Sequence, residues 1–200
     1  MQRIQKKRAI ARLFHPGTGL LLTIVAALVS YKPANEAEVP DTRAEPQPVL
    51  MCGDRGRLQA RLYGAISAQL AWNRDELECS GMPRPEGRGA RLRFAGEIDA
   101  EDRRIALIIS IPELQRAVTG AEFASNVTVI EEGNGRFFST SGLDNCLTDI
   151  TALDVVDEAG DRFSIEGILY CVSPLAEVNG ESSVSISDMQ FSGLLDWSTS

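Results

Sequence analysis

Apolar residues recur at every second position through much of the chain beyond residue 57. In "LQARLYGAISAQLAW" (58–72), Leu58, Ala60, Leu62, Gly64, Ile66, Ala68, Leu70 and Trp72 fall on one face. Gln59, Arg61, Tyr63, Ser67 and Gln69 fall mostly on the other. A helix would scatter these residues around its circumference, so the pattern predicts a strand. Gly64 marks a bend or bulge dividing it. "ARLRFAGEI" (90–98) alternates through Leu92, Phe94 and Ile98, "DAEDR" turns the chain, and "RIALIISI" (104–111) returns with Ile105, Leu107, Ile109 and Ile111 in phase. This is a hairpin.

"PELQRAVTG" then predicts a short helix over 112–119, with Pro112 at its first position, Glu113 in its first turn, Leu114 above Val118, and Gly120 as the stop. "NVTVIEEGNGRFFSTS" is a further hairpin, because Gly133-Asn134-Gly135 supplies the positive φ angles of a tight turn. In the closing "VSISDMQFSGLLDW", Val184 and Ile186 share one phase while Met189, Phe191, Leu195 and Trp197 share the other, which predicts a bulge or kink near Asp188. Strands at short intervals with one small helix define an all-β fold, an antiparallel sandwich or barrel.

The stretch "CLTDITALDVVDEAGDRFSIEGILYC" begins at Cys146 and ends at Cys171 around a turn between Ala159 and Gly160. Folded as a hairpin, it brings the two cysteines opposite one another or within a residue or two. Directly opposed side chains have Cβ atoms about 4.5–5.5 Å apart, close to disulfide reach. Such a bond stabilises by roughly 3 kcal/mol in the chain-entropy model. A metal clip would require closely spaced thiols or imidazoles, and a redox pair would require Cys-x-x-Cys; the chain has neither. With that pair assigned, Cys52 joins Cys79 by elimination.

Charge divides the chain. Arg3, Lys6, Lys7, Arg8 and Arg12 precede any acid, and Lys32 is the last lysine. From Pro33 onward 14 arginines face all 28 acids, a formal charge of −14. Such a surface repels DNA, RNA and anionic lipid, so nucleic acid is not an expected partner. The basic head is followed by the uncharged run "GTGLLLTIVAALVSY" (17–31), the pattern of an export signal or membrane anchor over residues 1–31. As a helix the run reaches about 22 Å, short of a hydrocarbon core of about 30 Å, which favours a cleaved signal peptide. The long basic head and the lack of Ala-x-Ala favour an uncleaved anchor. "KPANEAEVPDTRAEPQP" (32–48) holds four prolines and only Val39 of the larger aliphatics, so it reads as a disordered linker. A disulfide-stapled β domain follows over 49–200. Export and disulfides agree on an oxidising, periplasmic or otherwise extracytoplasmic location, with inner-membrane tethering if residues 17–31 are retained.

Candidate chemistry is narrow. His15, the only histidine, lies in the head, and no lysine follows residue 32, which removes Ser-His-Asp, Cys-His, Ser-Lys, Schiff-base and imidazole-zinc chemistry. No phosphate-binding or dinucleotide fingerprint is present, and no cofactor or metal is expected. Carboxylates remain: Glu131 and Glu132 at one turn, and Glu97, Asp99, Glu101 and Asp102 at another. Adjacent strand residues point to opposite faces, so Glu131 and Glu132 cannot flank one bond, and acids gather at turns because turns are solvated. Asp144, Asp149, Asp154, Asp157 and Asp161 offer oxygen ligands without a calcium-loop spacing. Trp72 and Trp197 continue inward phases, which leaves Tyr63 as an exposed ring. The loop "SGMPRPEGRGAR" (80–91) carries Arg84, Arg88 and Arg91 on an otherwise acidic domain and can meet an anionic partner. Asn126 lies in the glycosylation sequon "NVT", within a strand.

These features imply a non-catalytic binding or structural domain of the cell envelope, with an envelope protein or polysaccharide as partner. The alternatives are a carbohydrate-active enzyme using two carboxylates, and a lipid carrier if the barrel is hollow.

Overall fold

The structure, a computed structural model, describes residues 52, 55–85, 88–98, 103–116 and 118–198. The head (1–31), the linker (32–48) and the start of the folded domain near Val49 lie outside these residues. Among the described residues the chain is all-β, an antiparallel sheet of eleven strands: β1 (Arg57–Gly64), β2 (Ala68–Asn73), β3 (Glu78–Pro83), β4 (Ala90–Glu97), β5 (Arg104–Ile111), β6 (Ala121–Glu132), β7 (Arg136–Ser139), β8 (Cys146–Val155), β9 (Arg162–Cys171), β10 (Leu175–Glu177) and β11 (Ser183–Asp196). No helix among them is long and apolar enough to cross a membrane.

The order along the sheet is β2-β1-β11-β10-β7-β6-β5-β4-β3. Two strand lines are each interrupted once. β6 is paired by β7 over 128–131 and by β8 over 121–125, while β11 is paired by β10 at 183–184 and by β9 over 189–196. β8 pairs β9 and β10 pairs β7. The breaks fall at 140–145, where Leu143–Asn145 forms a 3-10 turn, and at 172–174. The two ends of the sheet fold over one another. Trp72 of β2 donates Nε1–H to the Glu97 carbonyl at 2.7 Å, and a Cβ on Gly96 would come within 2.7 Å of its indole. Gly81 of β3 lies against the Leu194 carbonyl of β11, where any side chain would collide. Phe94 on β4 meets Phe191 on β11 with ring centroids 5.4 Å apart. The space between is filled by side chains, Phe94, Phe138, Phe191, Leu58, Ile105 and Leu107 among the largest that are fully buried.

The hairpins expected around residues 99–103 and 133–135 form, with Leu92 opposite Ile109, Phe94 opposite Leu107 and Glu131 opposite Arg136. Gly133 and Gly135 have φ of 90° and 66°. Near Asp188 the phase does change. Its φ is 54°, and the β1–β11 register slips between Gln59 and Arg61.

Three expectations need correction. Residues 58–72 are not one bent strand but a hairpin, β1 and β2, with Leu58 opposite Trp72 and Leu62 opposite Ala68. The loop between Leu62 and Ala68 has an odd number of residues, so the same parity points inward on both strands and the alternation reads straight through the turn. The helix over 112–119 is absent from its described residues. Pro112 and Glu113 form a turn, and Leu114 donates its N–H to the Ile111 carbonyl at 3.4 Å. A stretch this short does not offset helix nucleation, and a single turn already buries Leu114 to 1% exposure. The open stretch 80–91 is also shorter than expected, because β3 extends to Pro83 and β4 starts at Ala90.

Both disulfides form. Cys146 and Cys171 are directly opposed across β8 and β9, and Cys52 bonds Cys79 on β3. Their presence fits an oxidising, extracytoplasmic environment. Replacing Cys146 and Cys171 together by alanine should cost roughly 3 kcal/mol through the freed denatured chain. Urea unfolding of the oxidised full chain and the double variant measures this as a lower midpoint.

Candidate functional site

Alternation on β4 to β7 sends one set of residues to the outer face in rows that cross the strands. Arg91, Ser110 and Asn126 form the first row. Arg93, Ile108, Thr128 and Ser139 form the second, and Ile130 and Phe137 continue the third. Residues 140–143, after β7, line one side, and Arg84 and Pro85, from the connection between β3 and β4, line the face as well. Together they enclose an open groove of about 880 Å³.

Both walls are braced. Arg84 donates its backbone N–H to the Gly89 carbonyl at 3.2 Å, and Gly89 adopts a φ of 74° packed against the carbonyls of Ile111 and Pro112. Opposite, Thr140 donates its N–H to the Val127 carbonyl (3.0 Å), its hydroxyl accepts from the Val127 N–H (3.2 Å), and the same hydroxyl donates to Asn126 Oδ1 (3.2 Å). Asn145 Nδ2 donates to Ser141 Oγ at 2.7 Å. The floor is mixed: hydroxyls of Ser110, Thr128 and Ser139 stand beside Ile108, Ile130 and the exposed ring of Phe137, which is 43% accessible.

Charge is distributed unevenly over this face. Just beyond the groove, Glu78, Arg93, Arg104 and Glu132 from four adjacent strands neutralise one another. Arg93 holds Glu132 at 2.5 Å, Arg104 holds Glu132 at 2.8 Å, and Arg104 also pairs with Glu78. The guanidinium groups of Arg84 and Arg91 have no acid partner among the described residues.

Arg84 and Arg91 thus share one groove. Arg88 does not: it lines a separate recess of about 400 Å³ beside Pro112, Arg116 and Trp197, where the Arg116 guanidinium lies 5.7 Å from the Trp197 ring centre. Trp72 and Trp197 are buried, and Tyr63 is exposed. Phe137, the ring in the groove, was not among the expected platforms, although the sequence carries a signal for it. Phe137 and Phe138 are consecutive in a strand, so one of them must face outward. Phe138 is fully buried.

Of the candidate carboxylates, Glu131, Glu132, Asp157 and Asp161 serve the scaffold. Glu131 and Glu132 point to opposite faces; Glu131 is 4% exposed and lies 3.4 Å from Arg136 and 3.8 Å from Arg103. Arg136 also donates Nε–H to Glu177 at 2.8 Å. Asp157 Oδ1 accepts the backbone N–H groups of Gly160, Asp161 and Arg162, and Asp161 pairs with Arg116. Asp99, Glu101 and Asp102 lie outside the described residues. Among the described residues no three acidic or thiol side chains gather as a metal site would require.

The chain matches no protein-family model, and no curated protein or solved structure is significantly similar to it.

Glu177 gives this end of the sheet a pH dependence. The Arg136 guanidinium, then the Ser182 hydroxyl at 2.5 Å, lower its pKa from 4.5 to about 2. A carboxyl depressed on folding stabilises the fold above its unfolded value and loses that contribution as pH falls through the folded value. In urea titrations from pH 7 to 2, Glu177→Gln should therefore be less stable than the parent above about pH 4.5, and the two curves should converge as pH approaches 2.

Proposed function

We propose that this chain is an exported or inner-membrane-tethered, non-catalytic binding domain of the cell envelope, whose outer groove captures an extended anionic ligand. In this reading residues 1–31 are the signal or anchor, residues 32–48 are the tether, and residues 49–200 are the binding domain. The curled sheet acts as a filled, barrel-like scaffold. With Phe94, Phe138 and Phe191 occupying its interior, binding falls to the outside.

One observation carries the reading: Arg84 and Arg91, without acid partners among the described residues, line a braced groove on a chain of formal charge −14 beyond residue 32. Surface arginines on so acidic a domain find carboxylates readily, and Arg93 and Arg104 nearby do so. Two that find none among the described residues are suited to an incoming anion, and guanidinium pairs carboxylate in a directional, bidentate manner. The acidic remainder of the surface opposes loose adsorption of polyanions and leaves the groove as the place where attraction wins.

Retention of the full chain, in detergent, on immobilised polygalacturonate, polyglutamate and neutral dextran tests this. The parent should be retained on a carboxylate polymer and not on dextran, with retention lost on raising salt. Arg84→Ala/Arg91→Ala should lose it, whereas Arg61→Ala, an arginine elsewhere on the sheet, should not. Undiminished retention of the double variant would contradict the proposal.

A further inference from the structure

We infer that the ligand of this groove is an acidic glycan, a chain of sugars bearing carboxylates, and not an anionic peptide; the inference rests on the anion-binding reading above. Its first support is what the floor withholds. An extended peptide gains affinity on a sheet mainly by adding a strand to an unpaired edge, through main-chain hydrogen bonds. Here β4 is paired by β3 and β5, β5 by β4 and β6, β6 by β5 and β7, and β7 by β6 and β10. The floor therefore presents side chains and no free ladder.

The second support is what those side chains are. Ser110, Thr128, Ser139 and Asn126 give a field of hydroxyl and amide groups, each able to donate and accept. They satisfy one another only in part. Ser139 Oγ donates to the Val127 carbonyl at 3.3 Å and shares a 3.1 Å hydrogen bond with Thr128 Oγ1, which leaves this pair acceptor lone pairs, and Asn126 receives Thr140 on Oδ1 while Nδ2 has no partner among the described residues. Sugar hydroxyls have the same dual character. The ring of Phe137 supplies the remaining element, a flat apolar surface for the C–H face of a sugar ring. Leu143, 41% exposed, borders the groove from the wall above β7.

Placement gives the ligand its charge pattern. Arg84 and Arg91 lie toward the β3–β4 side and Phe137 toward the β7 side, with the hydroxyl rows between them. A ligand that uses both must span at least three strands, carrying carboxylate at one end and a stacked ring at the other. A volume of about 880 Å³, near the top of the range of about 300–1,000 Å³ that houses drug-sized molecules, provides room for several sugar units in a row.

Calorimetric titration of the full chain with hexamers of galacturonate, mannuronate and glutamate, of equal charge, decides the matter. At least one uronate hexamer should bind about tenfold or more tightly than hexaglutamate. Phe137→Ala should weaken that glycan about tenfold and leave hexaglutamate unchanged, and Phe137→Tyr should restore it. An unaltered urea midpoint in Phe137→Ala separates lost stacking from lost folding. If hexaglutamate binds as tightly as either uronate, in an Arg84- and Arg91-dependent manner, the glycan inference falls while the anion-binding groove stands. If none binds in that manner, both fall.

Discussion

The covalent bond between Cys146 and Cys171 sits where two neighbouring strand lines break. β7 gives way to β8 at 140–145 and β9 to β10 at 172–174, and the bond joins the first residue of β8 to the last of β9. Strand breaks leave backbone groups unpaired and invite local opening. Here the Val172 N–H reaches across to the Asn145 carbonyl at 2.9 Å, and the disulfide lies beside that contact. The interruption becomes a defined corner, and Thr140 to Leu143, which lead into it, line one side of the groove.

A similar economy governs the charges. The domain carries many acids, and several of them hold the scaffold: Glu132 and Glu78 bind Arg93 and Arg104, Glu177 and Glu131 bind Arg136, and Asp157 closes the β8–β9 turn. Partly exposed pairs of this kind contribute little stability singly. Their consequence for the groove is a boundary. One end of the outer face is electrically satisfied, and the other holds two guanidinium groups without an acid partner among the described residues.

Much of this was legible in the sequence, for physical reasons that also explain what was not. Alternation revealed the strands because a half-buried strand has one dry face, and the Cys146 to Cys171 stretch announced its own hairpin because its turn lay midway between the sulfurs. The phase change at Asp188 was visible because a bulge shifts parity. Parity also hid the β1–β2 hairpin, whose odd loop preserves it. The helix over 112–119 had capping signals but too little length. The groove could not be read from sequence, since it depends on strands far apart in the chain lying side by side: Arg91 beside Ser110 beside Asn126. The arginine-bearing segment was recognisable by its contrast with an acidic surface, but not that Arg84 and Arg91 would share a groove while Arg88 turned to another recess.

The central claim is that the Cys146–Cys171 bond holds the two breaks, and through them the wall of the groove. Native-state hydrogen exchange in the oxidised parent and in the chain with both cysteines replaced by alanine tests it directly. The Thr140 and Val172 amides should lose more protection than the amides of β5, which the bond does not touch. Equal loss at all of these amides, or unchanged protection at Thr140 and Val172, would contradict it.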